Sequence, residues 1–353
     1  MDNIDELKSR IDALEKENDE YRKWQSSVNQ LLDRMLDMVT GLSDNKMDKR
    51  EVERDLLNLW TYANINRYRI NSLPYELQDP DYESFWFKPH ILSKEETTEK
   101  IIREKKSFAR LGDGEFASIV GQKRWNFQGE SELLGNKMQE VLSSTAESLL
   151  IGLNPMFYRN LFDIPEDDAD GVRAYMQPMV RRLHAQLLDR DRIYGNALFH
   201  NIESNEDVSR LKKIWDKRDC VFIEGIHTGM GVGNDLFDNC RSIERILGPA
   251  ENAIDKYEEI IKEASKQPKE KLILIALGPT ATVLAYELAK KGYQAVDIGH
   301  IDLIYEAFLR KMPNLYGVDI SYKYCTKDER GPGREIENIE DSDYKAQTVA
   351  VIL

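Results

Sequence analysis

Cysteine is scarce in this sequence, and long apolar runs are missing. The chain has only three cysteines in 353 residues, Cys220, Cys240 and Cys325. Their odd number and wide spacing argue against a disulfide framework and against a CxxC zinc site, which suits a reducing compartment. No apolar run approaches the ~20 residues of a membrane span, and the start at Met1 does not read as a signal peptide. We therefore expect a soluble, cytoplasmic protein.

Positive charge is also in short supply. Lysine and arginine number 49 against 63 aspartates and glutamates, which gives a formal net charge of −14. An acidic chain repels the phosphates of duplex nucleic acid, so we expect no nucleic-acid partner. Small anionic ligands are not excluded, because a bound metal or a helix N-terminus can hold phosphate locally. With 41% hydrophobic residues, the chain can form one or two domains with a sizeable core.

Residues 1–42 carry a heptad repeat. Apolar residues recur at the a and d positions, as at Ile11 and Leu14, with charged residues between them. This pattern predicts a coiled coil, and Ile at a with Leu at d favours a parallel homodimer. The alternative is one long amphipathic helix that folds back on its own domain. Residues 43–92 are expected to form a helical and aromatic linker to the main domain over 93–353.

Within this main domain, predicted strands alternate with helices of about 10 to 15 residues. The clearest strands are the apolar runs at 107–111, 149–153, 220–224, 271–277 and 295–298. The alternation predicts an α/β fold with a Rossmann-like, doubly wound, mostly parallel sheet. We also expect a helix over 236–247, and we expect the apolar end at 348–353 to pack back on the core.

Polar or glycine-rich segments follow four of the strands, with polar residues such as Asp113, Glu224 and His300. The carboxyl ends of parallel strands share one edge of a sheet, so these segments are expected to meet in one crevice. Asp113 and Glu115 can converge on Mg²⁺ or Mn²⁺, since both cations prefer oxygen ligands. The alternative for this pair is an ordinary Asp-Gly turn that leads into a helix.

Two of the segments can offer backbone N–H groups to an anion. The loop after Gly225 is rich in glycine and suits a close approach to phosphate, although a mobile surface loop is the alternative. The turn Gly278-Pro279-Thr280 joins a strand to a helix, and such helix N-termini bind anions. This turn matches neither a GxGxxG fingerprint nor a Walker A loop.

Five blocks of the sequence resemble the bacterial GT-D type glycosyltransferases, in order over about residues 95–310. The blocks are Arg110–Phe116, Gly231–Asn239, Ser242–Leu247, Ala276–Thr282 and Asp297–Asp302. The resemblance implies a Rossmann-like enzyme that transfers a sugar from a UDP-sugar donor. It also implies a DxE motif for Mn²⁺ or Mg²⁺, which falls on Asp113 and Glu115. The cation would stabilise the negative charge on the leaving diphosphate.

On this resemblance, Asp297, His300 and Asp302 are the next candidates for catalysis. His300 would be a metal ligand or an acid/base, and its alternative is a structural histidine at a strand end. The candidates for donor binding are Arg110, Gly112, Gly231, Gly233, Asn234, Asp235, Gly278, Pro279 and Thr280. Two of these candidates have a structural alternative. Asp235 could cap the following helix, and Arg110 could form an ion pair with a neighbouring carboxylate.

The sequence departs from the family after Tyr194-Gly195. An expected Ser-Arg-Pro-like block is replaced by Asn196–Asn201, which leaves the acceptor open. The resemblance predicts a hexosyltransferase that extends a bacterial surface polysaccharide or glycoprotein glycan, with other glycosyltransferases as further partners. Two alternatives stand beside it. One is a non-catalytic coiled-coil scaffold with a degenerate transferase domain, and the other is a nucleotide-binding oxidoreductase, which the missing GxGxxG disfavours.

Overall fold

The computed structural model of the protein describes residues 89–119, 128–129, 131–158, 186–311 and 339–353. The predicted coiled coil at 1–42 and nearly all of the linker at 43–92 lie outside these ranges, so both stay predictions. No helix in the described ranges is long and apolar enough to cross a membrane.

Nine strands form a single sheet, and every pairing between the described strands is parallel. The strands are β1 (His90–Ile91), β2 (Ser107–Leu111), β3 (Leu149–Leu153), β4 (Ile193–Asn196), β5 (Asp219–Gly225), β6 (Ser242–Gly248), β7 (Leu272–Ala276), β8 (Gln294–Asp297) and β9 (Thr348–Val351). Their order across the sheet is β1-β4-β3-β2-β8-β7-β5-β6-β9. The predicted parallel α/β sheet is confirmed.

Helices connect the strands and cover the sheet. They are α1 (Lys94–Arg103), α2 (Asp113–Ile119), α3 (Glu132–Ser143), α4 (Asn205–Lys212), α5 (Tyr257–Ala264), α6 (Thr280–Lys290), α7 (Ile301–Leu309) and α8 (Ser342–Gln347), with short 3₁₀ helices at Pro155–Tyr158 and Ala253–Lys256. Ser93 begins α1 with a capping box, in which Ser93 Oγ accepts the N–H of Glu96 and the Glu96 carboxylate accepts the N–H of Ser93.

The two faces of the sheet carry different helices. On one face, alternate strand residues such as Phe108 and Leu274 pack with Ile101 of α1, Leu211 of α4 and Ile301 of α7. On the other face, α6 lies against β2 and β8. A smaller apolar cluster joins α6 to the neighbouring helices, and its members are Ile119, Leu134, Met138, Ile254, Tyr257 and Val283. The helices α2 and α7 therefore lie on opposite faces.

The prediction of a helix over 236–247 is wrong. Residues 236–239 form turns, and Ser242–Gly248 is strand β6, which pairs with β5 along its whole length. Parallel pairing of β6 with β5 on one side and with β9 on the other satisfies the backbone of this segment, so tertiary context overrides its local helical preference. The apolar C-terminal end returns to the domain as the edge strand β9 beside β6. Val349, Val351 and Leu353 are exposed, so this end joins the edge of the sheet and does not pack on the core as expected.

Candidate functional site

The sheet reverses its winding between β2 and β8. These strands are neighbours, yet the helices that follow them, α2 and α7, lie on opposite faces of the sheet. Open α/β sheets bind ligands outside the carboxyl ends of the strands at such a point. We call this region the switch-point crevice. It is bordered by the first turns of α2, α6 and α7 and by the segment after β4.

The crevice begins at the DxE stretch. Gly112 follows β2, Asp113 is the first residue of α2, and Glu115 lies in the same first turn. Glu115 Oε2 accepts the N–H of Gly112 at 2.7 Å, which is the side-chain-to-backbone bond of a capping box. The Asp-Gly turn into a helix is thus present, and it places Glu115 at the mouth of the crevice.

Arg110 and Asp297 face each other across β2 and β8. Arg110 Nε lies 3.6 Å from Asp297 Oδ1, and the Asp297 side chain is only 2% exposed. Burial raises the pKa of Asp297, and the Arg110 guanidinium and the Gly299 N–H oppose this shift. The hydroxyl of Thr282 lies 2.7 Å from the carbonyl oxygen of Arg110 and 3.1 Å from Asp297 Oδ2. Arg110 therefore forms the ion pair with a neighbouring carboxylate that the sequence offered as an alternative to donor binding.

The guanidinium of Arg110 lies directly over Gly299. Gly299 has a φ of +54°, and a Cβ atom there would come within 2.4 Å of Arg110 Nη2. Only glycine fits at this position without moving the guanidinium. Within the described part of the chain, Arg110 Nε is buried without a hydrogen-bond partner. This nitrogen is 3.6 Å from Asp297 Oδ1, which is beyond hydrogen-bond distance, so among the described residues the donor stays unsatisfied.

His200 and His300 meet edge to face beside Arg110. Their ring centroids are 5.7 Å apart, and His200 is buried while His300, just before α7, is exposed. His200 Nδ1 lies 3.0 Å from the carbonyl oxygen of Ala197, which places the ring proton on Nδ1. Burial lowers the pKa of His200 well below its usual range, and the charges of Arg110 and His300 lower it further. His200 is thus a neutral imidazole.

The sequence did not single out His200 for the site. The one feature that could have pointed to His200 is its position. It lies in the segment after Tyr194-Gly195, where the chain departs from the family pattern. An isolated histidine after a strand is usually structural, and its contact with His300 depends on two strands that are distant in sequence.

The glycine-rich loop, Gly225–Asp235, docks on α7. Asn234 Nδ2 donates to Asp302 Oδ1 and to Glu306 Oε1, both at 2.8 Å. Both carboxylates are only 4% exposed. The structure therefore brings Asn234 and Asp302 together, and it adds Glu306, which sequence reasoning missed because its place one turn after Asp302 looked like ordinary helix.

Asp235 holds the end of the same loop. It accepts the hydroxyl of Tyr305 at 2.6 Å and the ammonium of Lys212 at 2.9 Å, and these bonds lower its pKa. No helix starts after Asp235 in the described structure. The alternative prediction, that Asp235 caps a following helix, is therefore wrong. Gly231 and Gly233 precede it with φ values of +78° and +82°, which favour glycine.

The turn Gly278-Pro279-Thr280 borders the crevice from β7. It leads into α6, whose Thr282 contacts Arg110 and Asp297. Thr280 is fully buried, and its Oγ1 has no hydrogen-bond partner in the described ranges. The start of α6 thus offers a helix N-terminus beside the Arg110–Asp297 pair.

The donor chemistry of the crevice fits a hard divalent cation. The first turn of α2 contains two acidic residues, Asp113 and Glu115, and Mg²⁺ is commonly bound by one or two carboxylates together with substrate phosphates. Among the side chains that the structure describes, no group of three or more histidines, cysteines, aspartates or glutamates is placed to hold a metal ion.

Comparison with known proteins identifies the family. A model of the glycosyltransferase GT-D fold matches residues 108–327. The chain is 29% identical to glycosyltransferase GlyD of Streptococcus pneumoniae serotype 4, over the whole of this chain and 42% of that protein. It is 32% identical to the probable glycosyl transferase Gly of Streptococcus gordonii, over 74% of this chain and 38% of that one. The chain thus spans about two fifths of the length of these curated relatives.

Solved structures agree with this result. One is described as a new glycosyltransferase from Streptococcus sanguinis; it is 29% identical, with a TM-score of 0.68, and covers 75% of this chain and all of its own. Another is described as a highly conserved domain of unknown function with a distinct glycosyltransferase fold; it is 28% identical, with a TM-score of 0.68, over 83% of this chain and all of its own. The chain belongs to the family of glycosyltransferases with the GT-D fold.

Proposed function

We propose that the protein is a metal-dependent glycosyltransferase that moves a hexose from a UDP-sugar to a glycan acceptor. The observation that carries the proposal is the position of Arg110 and the DxE turn at the end of β2, beside the end of β8 that leads to Asp297 and His300, where the sheet reverses its winding. Family membership supports the reaction class, and the resemblance supports the UDP-sugar and the cation.

In this proposal, Asp113 and Glu115 hold Mn²⁺ or Mg²⁺. A cation held there would supply positive charge beside the leaving diphosphate. Arg110 adds a fixed cation, since its buried Nε has no hydrogen-bond partner among the described residues. The N-terminus of α6 adds backbone dipoles for the same anion.

The histidine pair has separate duties. His200 stays neutral and packs edge-on against His300, so it fixes the orientation of that ring without adding charge. His300 is exposed at the start of α7, where it can meet the donor sugar or the acceptor hydroxyl. The proposal includes an acceptor in surface polysaccharide or glycoprotein glycan synthesis, a homodimer through residues 1–42, and other glycosyltransferases as partners.

Turnover of nucleotide sugars tests the proposal. Release of UDP from UDP-glucose and UDP-galactose is measured with Mn²⁺, with and without glycan acceptors, for the wild type and for Asp113→Asn. We expect release that requires Mn²⁺ in the wild type and none above background in the variant. NAD binding is measured in parallel. Equal release by both proteins, or tight NAD binding without UDP binding, would overturn the proposal.

A further inference from the structure

A buried ion pair lies beneath the glycine-rich loop. Glu224 is near the end of β5 and Arg245 lies on the neighbouring strand β6, with Glu224 Oε1 2.5 Å from Arg245 Nη1. The side chains are 0% and 4% exposed. Burial raises the pKa of Glu224, and Arg245 opposes this shift. Because desolvation of such a pair often costs more than its attraction returns, stability alone is a poor reason for it.

The pair holds the middle of the loop by its backbone. Glu224 Oε2 accepts the N–H of Met230 at 2.7 Å, and Arg245 Nη1 donates to the carbonyl oxygen of Met230 at 3.0 Å. The residues on either side, Gly229 and Gly231, have φ values of +58° and +78°. Met230 is therefore fixed between two residues whose left-handed backbone favours glycine.

Arg245 also reaches the C-terminal segment. Its Nε donates to Gln347 Oε1 at 2.8 Å, and its guanidinium lies 4.6 Å from the ring centroid of Tyr344 and 5.0 Å from that of Phe222. The planar fork of arginine makes these contacts together, which the single ammonium of lysine cannot do. One side chain thus joins the loop to the end of α8.

From Met230 the loop runs to Asn234, which docks on Asp302 and Glu306 of α7. The helix α7 starts beside His300, at the switch-point crevice. We propose that Glu224 and Arg245 are positioning residues for the UDP-sugar site: they fix the course of the loop, and with it the loop's contact with α7. The link to the donor rests on the proposed function, and the link to the loop does not.

Arg245→Lys tests the proposal, because it keeps the charge and loses the fork. We expect the Met230 amide to exchange hydrogen at least tenfold faster, and the KM for the UDP-sugar to rise about tenfold while kcat changes less than threefold. Glu244→Gln is the matched control. Glu244 is the neighbour of Arg245 on β6, points to the opposite face, and pairs with Lys271 at 2.5 Å. It should leave both readouts unchanged.

Gln347→Ala guards against a variant that fails to fold. Gln347 is only part-buried, and the change removes one partner of Arg245 Nε without touching the sheet core. We expect about threefold changes in the same directions. Wild-type exchange and wild-type KM in a folded Arg245→Lys protein would overturn the proposal. If Arg245→Lys exchanges faster but the wild type binds no UDP-sugar, the positioning of the loop would be supported and the proposed function would be contradicted.

Discussion

The switch-point crevice and the glycine-rich loop lie at the same edge of the sheet, but they use their polar groups differently. In and beneath the loop, Asn234, Glu224 and Arg245 each bond to other protein groups. In the crevice, Arg110 Nε and Thr280 Oγ1 are buried without hydrogen-bond partners in the described ranges. Leaving such a group unsatisfied costs about 1–3 kcal/mol. The polar groups in and beneath the loop thus hold the loop in place as a structural scaffold. The crevice, in contrast, retains polar groups that can bond to a ligand.

Tyr344 is the exception on the loop side. Its hydroxyl is buried without a hydrogen-bond partner among the described residues, and burial raises its pKa. Its ring still supports the Arg245 guanidinium. The contrast between the two regions therefore depends on their charged and amide groups, and variants of those groups can test it.

The largest effect is expected at Glu115. Glu115→Gln should lower the rate of UDP release about a thousandfold, or about 4 kcal/mol, because the proposed function assigns this carboxylate to the cation beside the diphosphate. The amide oxygen can still accept the N–H of Gly112, so stability should stay within about 0.5 kcal/mol of the wild type. Glu115→Ala also removes the cap and should cost about 1 kcal/mol. Activity assays and urea denaturation separate these effects.

Arg110→Met should give the next largest effect. It leaves the buried carboxylate of Asp297 unpaired, at a cost of about 3 kcal/mol at pH 7. The pKa of Asp297 is already raised by burial, so the folded variant binds a proton more readily than the unfolded chain does. Its stability should therefore rise as the pH falls from 7 towards the ordinary aspartate value of about 4.

Urea denaturation at pH 7 and pH 5 measures this prediction. The double variant Arg110→Met with Asp297→Asn is the control, and it should recover most of the lost stability at pH 7. A single variant as stable at pH 7 as the wild type would show that Arg110 is not needed to balance Asp297.

Asn234→Asp should destabilise the protein by about 2 kcal/mol. It places a third carboxylate against Asp302 and Glu306, which are both 4% exposed, and like charges repel strongly at low dielectric. Asn234→Ala only removes the bridging amide and should cost about 1 kcal/mol. Thermal denaturation compares the two. Equal losses of stability in the two variants would mean that Asn234 does not separate buried charges. The contact of the loop with α7 would then not depend on the Asn234 amide.

The smallest effect is expected at His200. Its folded pKa is lowered, so its contribution to stability is present above pH 6.5 and is lost as the pH falls towards the folded value. The slope from one such group is at most about 1.4 kcal/mol per pH unit. His200→Asn keeps a donor for the carbonyl of Ala197 and should flatten the stability profile between pH 7 and pH 5. An unchanged profile would show that His200 is not the neutral residue described here.

Part of the fold and of the candidate site could be predicted from the sequence, because the relevant patterns lie within single segments of the chain. Apolar runs such as 220–224 and 271–277 predicted parallel strands, and the DxE turn after β2 was visible as two carboxylates around a glycine. The contacts between segments were not accessible. Asn234 meets Asp302 across 68 residues of sequence, and no pattern in either segment predicts the other.

Strand β6 shows why local reasoning fails. Its Ser-Ile-Glu-Arg-Ile-Leu run mixes charged and apolar residues, which gave it the appearance of a surface helix. Arg245 is nevertheless buried, because Glu224 on the adjacent strand balances its charge. A charged residue in a core strand can be predicted only when its partner is known.

Calorimetric binding of UDP, with and without Mn²⁺, tests most directly whether the crevice is the ligand site. For the wild type, we expect at least tenfold tighter binding with Mn²⁺. For Glu115→Gln, we expect the same weak binding in both conditions. UDP binding that does not depend on Mn²⁺ in the wild type and is unchanged in Glu115→Gln would show that the crevice is not a metal-dependent UDP site.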